Sequence, residues 1–136
     1  MDGRWGKMNM NAMQALMDGM AAQMQRERAA RQLTLGKLIE RLESLPPETV
    51  MDLSVPHSYR GYYSDLAFEA GDRIAAKDAL AMCRAVMGEV FEGYKGGQFM
   101  MGRNTPVWRA SEGCCGKKIM AVRDDGTLDL AEEEAS

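Results

Sequence analysis

Pro46-Pro47 divides this 136-residue chain more firmly than any other dipeptide in it. Two adjacent prolines remove two backbone donors and fix two φ angles, so no helix runs through them. Every segment before them has helical periodicity. The segments after them are short, punctuated by glycine and richer in aromatic residues, with one further helical stretch. These features predict an α+β fold: a small antiparallel sheet packed with helices on one face, preceded by a helical extension. The length suits one compact domain with a modest core.

Residues 9–32, NMNAMQALMDGMAAQMQRERAARQ, read as a helix. Met10, Met13, Met17, Met20 and Met24 recur at spacings of 3, 4, 3 and 4, the a/d stripe of a coiled-coil seam. The stripe fits packing on the chain's own core, and it equally fits a seam between copies. Methionine is a flexible filler that suits adaptable surfaces. Glu27 at the next d position ends the stripe, and Arg26, Arg28 and Arg31 cluster beyond it. A second helix spans 34–45, with Thr34 as N-cap and Leu35, Leu38, Ile39, Leu42 and Leu45 as its apolar face.

After the prolines a short strand is expected near Val50–Leu53. The second half of SVPHSYRGYYSDLAFEA is strand-like, with Gly61 as a bulge or a point of close approach. Residues 76–91 read as a third helix, with Leu80, Cys83, Val86, Met87, Val90 and Phe91 on one side. Cys83 then behaves as a small buried apolar residue. GYKGG leads into a strand, QFMM. A turn at GRNTP, then VWRASE, GCCG and KKIMAV, predict a C-terminal antiparallel meander. The last stretch, RDDGTLDLAEEEAS, holds six acids and one arginine and reads as a solvated tail. The expected organisation is a helical oligomerisation extension over 1–32, a compact α+β ligand-binding domain over 33–123 and an acidic disordered tail over 124–136.

A formal net charge of −3 lacks the basic footprint of a protein that binds nucleic acid polymers. The three cysteines include the adjacent pair Cys114 and Cys115, which is not a disulfide framework and fits a reducing cytosol. No apolar run is long enough to span a bilayer, and no cleavage pattern marks a signal peptide. Catalytic signals are thin. The only histidine, His57, sits in a Pro-His-Ser turn with no base placed beside a nucleophile. Cys114 and Cys115 lack metal-ligand spacing, so no metal and no cofactor is expected. Asp65 is the one carboxylate in the tyrosine-rich strand, and a single carboxylate is weak ground for acid–base chemistry.

Binding signals are stronger. Arg60, Tyr62, Tyr63, Tyr94, Lys95 and Phe99 mix cations with rings in two glycine-containing stretches. Arginine holds phosphate oxygens with a fork of donors, lysine supplies a point charge, and rings sandwich a base. Gly96 and Gly97 let a backbone approach closely. The alternative is that Tyr59 and Tyr63 pack the sheet while Arg60 is solvated. GYKGG is neither a Walker motif nor GxGxxG. TPVW with Arg109 adds one more ring beside a cation.

As a set, TLGKLIERLESLPPETVMDL, PHSYRGYYSDLAFE, FEGYKGGQFMM and NTPVWRASEG resemble the phage-encoded anti-Thoeris family that sequesters cyclic ADP-ribose signals, over roughly Leu33 to Val122. The resemblance implies a sponge and not an enzyme, working in the host bacterial cytoplasm. Such proteins bind glycosidically closed cyclic ADP-ribose isomers made by bacterial TIR-domain proteins and leave them intact. They assemble as dimers to hexamers, with the pocket at a subunit boundary. Some members also hold cyclic trinucleotides on a hexamer axis, which blocks a second defence system (CBASS).

Placed on the matching stretches, Arg60, Lys95, Gly96 and Gly97 would meet phosphates. Tyr62 is a further ligand-binding candidate, Tyr94 or Phe99 would stack on adenine, and Asn104 or Arg109 would reach a ribose or phosphate. Arg26, Arg28 and Arg31 would ring the trinucleotide. Two alternatives stand beside the sponge. One is a small nucleotide-processing hydrolase in which Asp65, His57 and Arg60 converge. The other is a phage adaptor that grips a host protein with the Met-rich helix.

Overall fold

The first helix, α1 (Met10–Arg31), keeps a continuous ladder through the Met-rich stretch. The computed structural model describes residues 10–59, 62, 64–71, 73–92, 97–110 and 116–131, and within α1 the side chains of Leu16, Gly19, Met20 and residues 22–31. Met20 and Met24 are 58 and 49% exposed, as is Leu16 at 64%, so the described part of this stripe is not buried on the chain's own core. The side chains of Met10, Met13 and Met17 lie outside the described residues.

After α1, the chain crosses to the body as an extended segment. Leu33 donates to Ile119 O at 2.8 Å and accepts from Val107 N at 3.1 Å. Thr34 then caps α2 (Leu35–Ser44), its hydroxyl accepting from Lys37 N at 3.4 Å. That bond satisfies one of the free amides at the helix start. Leu35, Leu38, Leu42 and Leu45 are buried and Ile39 is half-buried against the same core, as the spacing predicts.

Beyond the prolines come β1 (Val50–Met51), β2 (Pro56–Ser58), β3 (Leu66–Phe68) and β4 (Ile74–Ala75), then α3 (Ala76–Val86). The rest is β5 (Val90–Glu92), β6 (Gln98–Met100), β7 (Val107–Ala110), β8 (Gly116–Val122) and β9 (Leu128–Ala131). The main sheet has five strands in the order β2-β3-β7-β8-β9, and β1 pairs with β4 and β5 with β6 in separate ladders.

The architecture is α+β, and four expectations are corrected in detail. First, the sheet is mixed, because β3 and β7 pair in parallel with Leu66 opposite Val107 and Phe68 opposite Arg109. A parallel pair needs a long crossover, and α3 lies within it. Second, α3 stops at Val86, not at 91. Gly88 takes φ +85, its amide donates to Met101 O, and Val90 and Phe91 continue as strand β5. Third, part of the expected acidic tail is ordered. Leu128–Ala131 pairs with β8 across an irregularity between Ile119 and Ala121, and Leu128 and Leu130 pack on the core.

Fourth, the sheet is covered on both faces. Leu66, Phe68, Val107 and Ile119 join the core beneath α2 and α3, while Ala67 and Trp108 pack with Tyr59 and Tyr62 on the other side. Alternation along β3 and β7 sends neighbouring side chains to opposite faces, and a parallel pair is stable when both are buried. The end of α1 supplies cover on the Trp108 face.

Cys83 is fully buried on α3, and burial alone pushes its thiol up to about 12. The thiolate is the reactive form, so Cys83 is inert in the native state. In a Cys114→Ser/Cys115→Ser background, Ellman's reagent at about pH 8 should detect one thiol after urea unfolding and none before. Native reaction would place Cys83 outside the core.

Candidate functional site

The described sequence-selected residues do not gather in one place. Tyr62 lies in the connection from β2 to β3, where Tyr59 N donates to Asp65 O at 2.9 Å and Asp65 N to Tyr62 O at 2.8 Å. Tyr59 stacks on Trp108 with centroids 4.3 Å apart and planes at 15°. Its hydroxyl accepts from Gly116 N at 3.2 Å. Tyr59 therefore packs the sheet. Tyr62 sits 5.9 Å from the Trp108 ring centroid.

Residues 93–97, GYKGG, connect β5 to β6, whose strands pair Glu92 with Gln98 and Phe91 with Phe99. Gly97 has φ +84, a left-handed conformation that glycine adopts without strain. Phe91 and Phe99 face the core, while Val90 and Met100 pair on the exposed side. Phe99 is thus part of the hairpin's packing, and its ring lies beside Gly97. Asn104 is exposed in the turn closed by Thr105 N to Gly102 O at 3.1 Å. Arg60, Gly61, Tyr63, Tyr94, Lys95, Gly96, Cys114 and Cys115 lie outside the described residues.

Trp108 and Arg109 do not form a ring–cation pair, because adjacent strand residues point to opposite faces. Arg109 reaches Asp52, its Nη2 donating to Oδ2 at 2.6 Å. Asp52 Oδ1 also accepts from Gly71 N at 3.0 Å. Arg109 Nε is buried and has no hydrogen-bond acceptor among the described residues. A cleft of about 190 Å³ opens here, walled by Val50, Met51, Asp52, Arg73, Arg109, the 125–127 turn and Leu128. Thr127 N donates to Asp125 Oδ1 at 2.9 Å, and this bond holds the Asp125 carboxyl below its ordinary range. Two cations therefore face two acids. Arginines suit phosphate oxygens and carboxylates accept from hydroxyls.

Of the cleft residues, sequence reasoning selected Arg109 alone. DDGT carried a turn signal at Gly126, and nothing in the sequence pointed to Asp52 or Arg73. Tyr62, Gly97, Phe99 and Asn104 are not among the described walls of this cleft.

Of the three arginines on α1, Arg26 and Arg31 are exposed and Arg28 is not. Arg28 Nε and Nη2 donate to Asp65 Oδ2 and Oδ1 at 2.7 and 3.0 Å, and its guanidinium carbon lies 3.8 Å from the Tyr62 ring centroid. Asp65 is fully buried and also accepts from Trp108 Nε1 at 2.9 Å. Asp65 is the acceptor at the centre of a structural cluster. His57 Nδ1 lies 2.9 Å from Ser58 O. Its Nε2 is 2.8 Å from Glu69 Oε1, close enough for an ion pair but not aligned for a hydrogen bond. Asp65 and His57 are thus each engaged by other partners. Among the described residues no cluster of histidine, cysteine and acidic groups could hold a metal ion, and no helix is long and apolar enough to cross a membrane.

Comparison of the chain with protein-family models, curated proteins and solved structures finds no match.

Proposed function

We propose that this chain is a phage anti-defence sponge that binds cyclic ADP-ribose-type signal nucleotides and sequesters them uncleaved in the bacterial cytoplasm. The observation that carries the reading is the Arg109 cleft, where a buried guanidinium donor has no acceptor among the described residues, beside Asp52, Arg73 and Asp125. A buried donor left without a partner costs free energy that a phosphate or ribose oxygen recovers. The resemblance of the SYRGYY, GYKGG and TPVW stretches to the anti-Thoeris family supports the same ligand class.

The cleft's volume of about 190 Å³ is below the roughly 300 Å³ at which pockets for whole drug-sized ligands begin. One protomer then holds a ribose phosphate, and a second copy encloses the rest. The exposed Leu16, Met20 and Met24 stripe offers apolar area for such assembly. The same stripe keeps the adaptor reading open. Arg26 and Arg31 remain as exposed cations for a cyclic trinucleotide, without Arg28. The engagement of Asp65 and His57 favours holding a ligand over cleaving it.

Calorimetry with a glycosidically closed cyclic ADP-ribose tests the proposal, followed by heat denaturation and chromatography of the released ligand. The expected dissociation constant is micromolar or below, about −8 kcal/mol or better, with the ligand recovered intact. Arg109→Ala should weaken binding about 100-fold, in the range for losing a charged hydrogen bond. Cleaved ligand would favour the hydrolase. Absence of binding at millimolar ligand would reject the sponge.

A further inference from the structure

Resting on the proposed role of the Arg109 cleft as the nucleotide site, we infer that Asp52 is a positioning residue there. It holds the Arg109 guanidinium at the wall that Arg73 also lines, and the two cations grip one phosphate group.

Arg109 lies on β7 in register with Phe68 on β3 and Lys117 on β8, so the three share a sheet face. Lys117 is exposed, and like charges directly opposite repel each other. A guanidinium on a long stem beside a second cation has many orientations open to it. Asp52 selects one, its Oδ2 accepting from Nη2 at 2.6 Å. The carboxylate is itself fixed, because Oδ1 accepts from Gly71 N at 3.0 Å. A phosphate must break both bonds to take its place. One carboxylate oxygen uses only part of what an arginine donates, so the guanidinium keeps donors for a ligand.

Arg73 is placed independently of the Asp52 carboxylate. Met51 pairs with Ile74 and Val50 with Ala75 in the β1–β4 ladder, which sets Arg73, directly before Ile74, across from Asp52. Arg73 is exposed, lines the same cleft and has no ion pair among the described residues. The cleft thus holds one cation oriented by an acid and one uncommitted, and charge-assisted bonds from both suit the oxygens of a single phosphate.

The test compares Asp52→Asn, Arg73→Ala, Arg109→Ala and the double variant Asp52→Asn/Arg109→Ala in the full chain. Binding of a glycosidically closed cyclic ADP-ribose is read by calorimetry. The arginine Nε–H signals are read in a proton–nitrogen correlation spectrum, with the Arg109 signal assigned by its loss in Arg109→Ala. Asparagine matches aspartate in shape but puts a donor where one of the two accepting oxygens stood. It therefore keeps the Gly71 bond or the Arg109 bond, not both.

Positioning predicts that Asp52→Asn weakens binding about tenfold and shifts the Arg109 Nε–H signal, which in the parent comes from an enclosed nitrogen. In the Arg109→Ala background the same change should alter affinity less than about threefold, since nothing is left to position. Arg73→Ala should also cost about tenfold.

Two results overturn the inference. If Asp52 only opposes the phosphate charge, Asp52→Asn binds more tightly than the parent. If Asp52 contacts the ligand itself, its loss adds in full to that of Arg109→Ala. Arg73 is exposed, so its variant reports even if Asp52→Asn does not fold, and unchanged affinity there refutes the two-cation grip. If the parent binds no cyclic ADP-ribose, the proposed function fails separately. The Arg109 signal then decides: an unchanged signal in Asp52→Asn refutes positioning, and its shift upholds it.

Discussion

Asp65→Ala should destabilise the protein by about 3–5 kcal/mol, read as a lowered urea midpoint at unchanged slope. The carboxylate is fully buried, and the Arg28 side chain paired with it is 13% exposed. Removing the acid leaves a guanidinium largely withdrawn from water with no counter-charge. It also leaves the Trp108 indole N–H without its acceptor. Each loss alone costs more than a typical surface change, and a domain of this kind has about 5–15 kcal/mol in total. Asp65→Asn should cost less, because it retains an acceptor for the indole. A loss under about 1 kcal/mol for Asp65→Ala would show that α1 is not anchored through this pair.

Gly126→Ala should cost about 2–5 kcal/mol, from two separable causes. Gly126 has φ +89, where an L side chain is strained by about 1–2 kcal/mol. A Cβ there would also run into Val50 O and lie 2.9 Å from Thr49 Cγ2. Backbone cannot swing aside as a flexible side chain does, so the β8–β9 turn must move off β1. Gly88→Ala is the control, since its φ is +85 but nothing lies within 4 Å of the added atom. The difference between the two denaturation midpoints isolates the clash. Equal losses would mean that the 125–127 turn does not press on β1. Because Gly126 walls the Arg109 cleft, this variant should also reshape it.

What the sequence made legible was local. Thr34 as cap, the leucine face of α2, the strand after GYKGG and the antiparallel pairing of β7 with β8 are each written in residues a few positions apart. The end of α3 was misread because Val90 and Phe91 keep helical spacing with Val86 and Met87. Gly88 breaks the ladder between them, and it was the signal to weigh. In β9, the alternation of Leu128 and Leu130 marks a strand, but three adjacent glutamates masked it.

The candidate site was harder to see because its contacts are distant in sequence. Arg28 and Asp65 are 37 positions apart, and Arg109 and Asp52 are 57 apart. Nothing at either end announces the other. Composition pointed to cations and rings, yet Arg28, Tyr59 and Phe99 serve packing while Asp52 and Asp125 line the cleft. The parallel pairing of β3 with β7 is equally non-local, and with it the burial of both sheet faces.

The anchoring of α1 also sets an order of events at the ribosome. Gln32 bonds to Val107 O, 75 residues later, and Leu33 bonds to Ile119 O. A helix completed by residue 31 therefore lacks its sheet partners in β7 and β8 until most of the chain has been translated, although Asp65 emerges earlier. Closing so long a loop is costly before the sheet exists to receive it. Through that interval its Leu16, Met20 and Met24 stripe is available to neighbouring nascent chains, so the helix made early docks late.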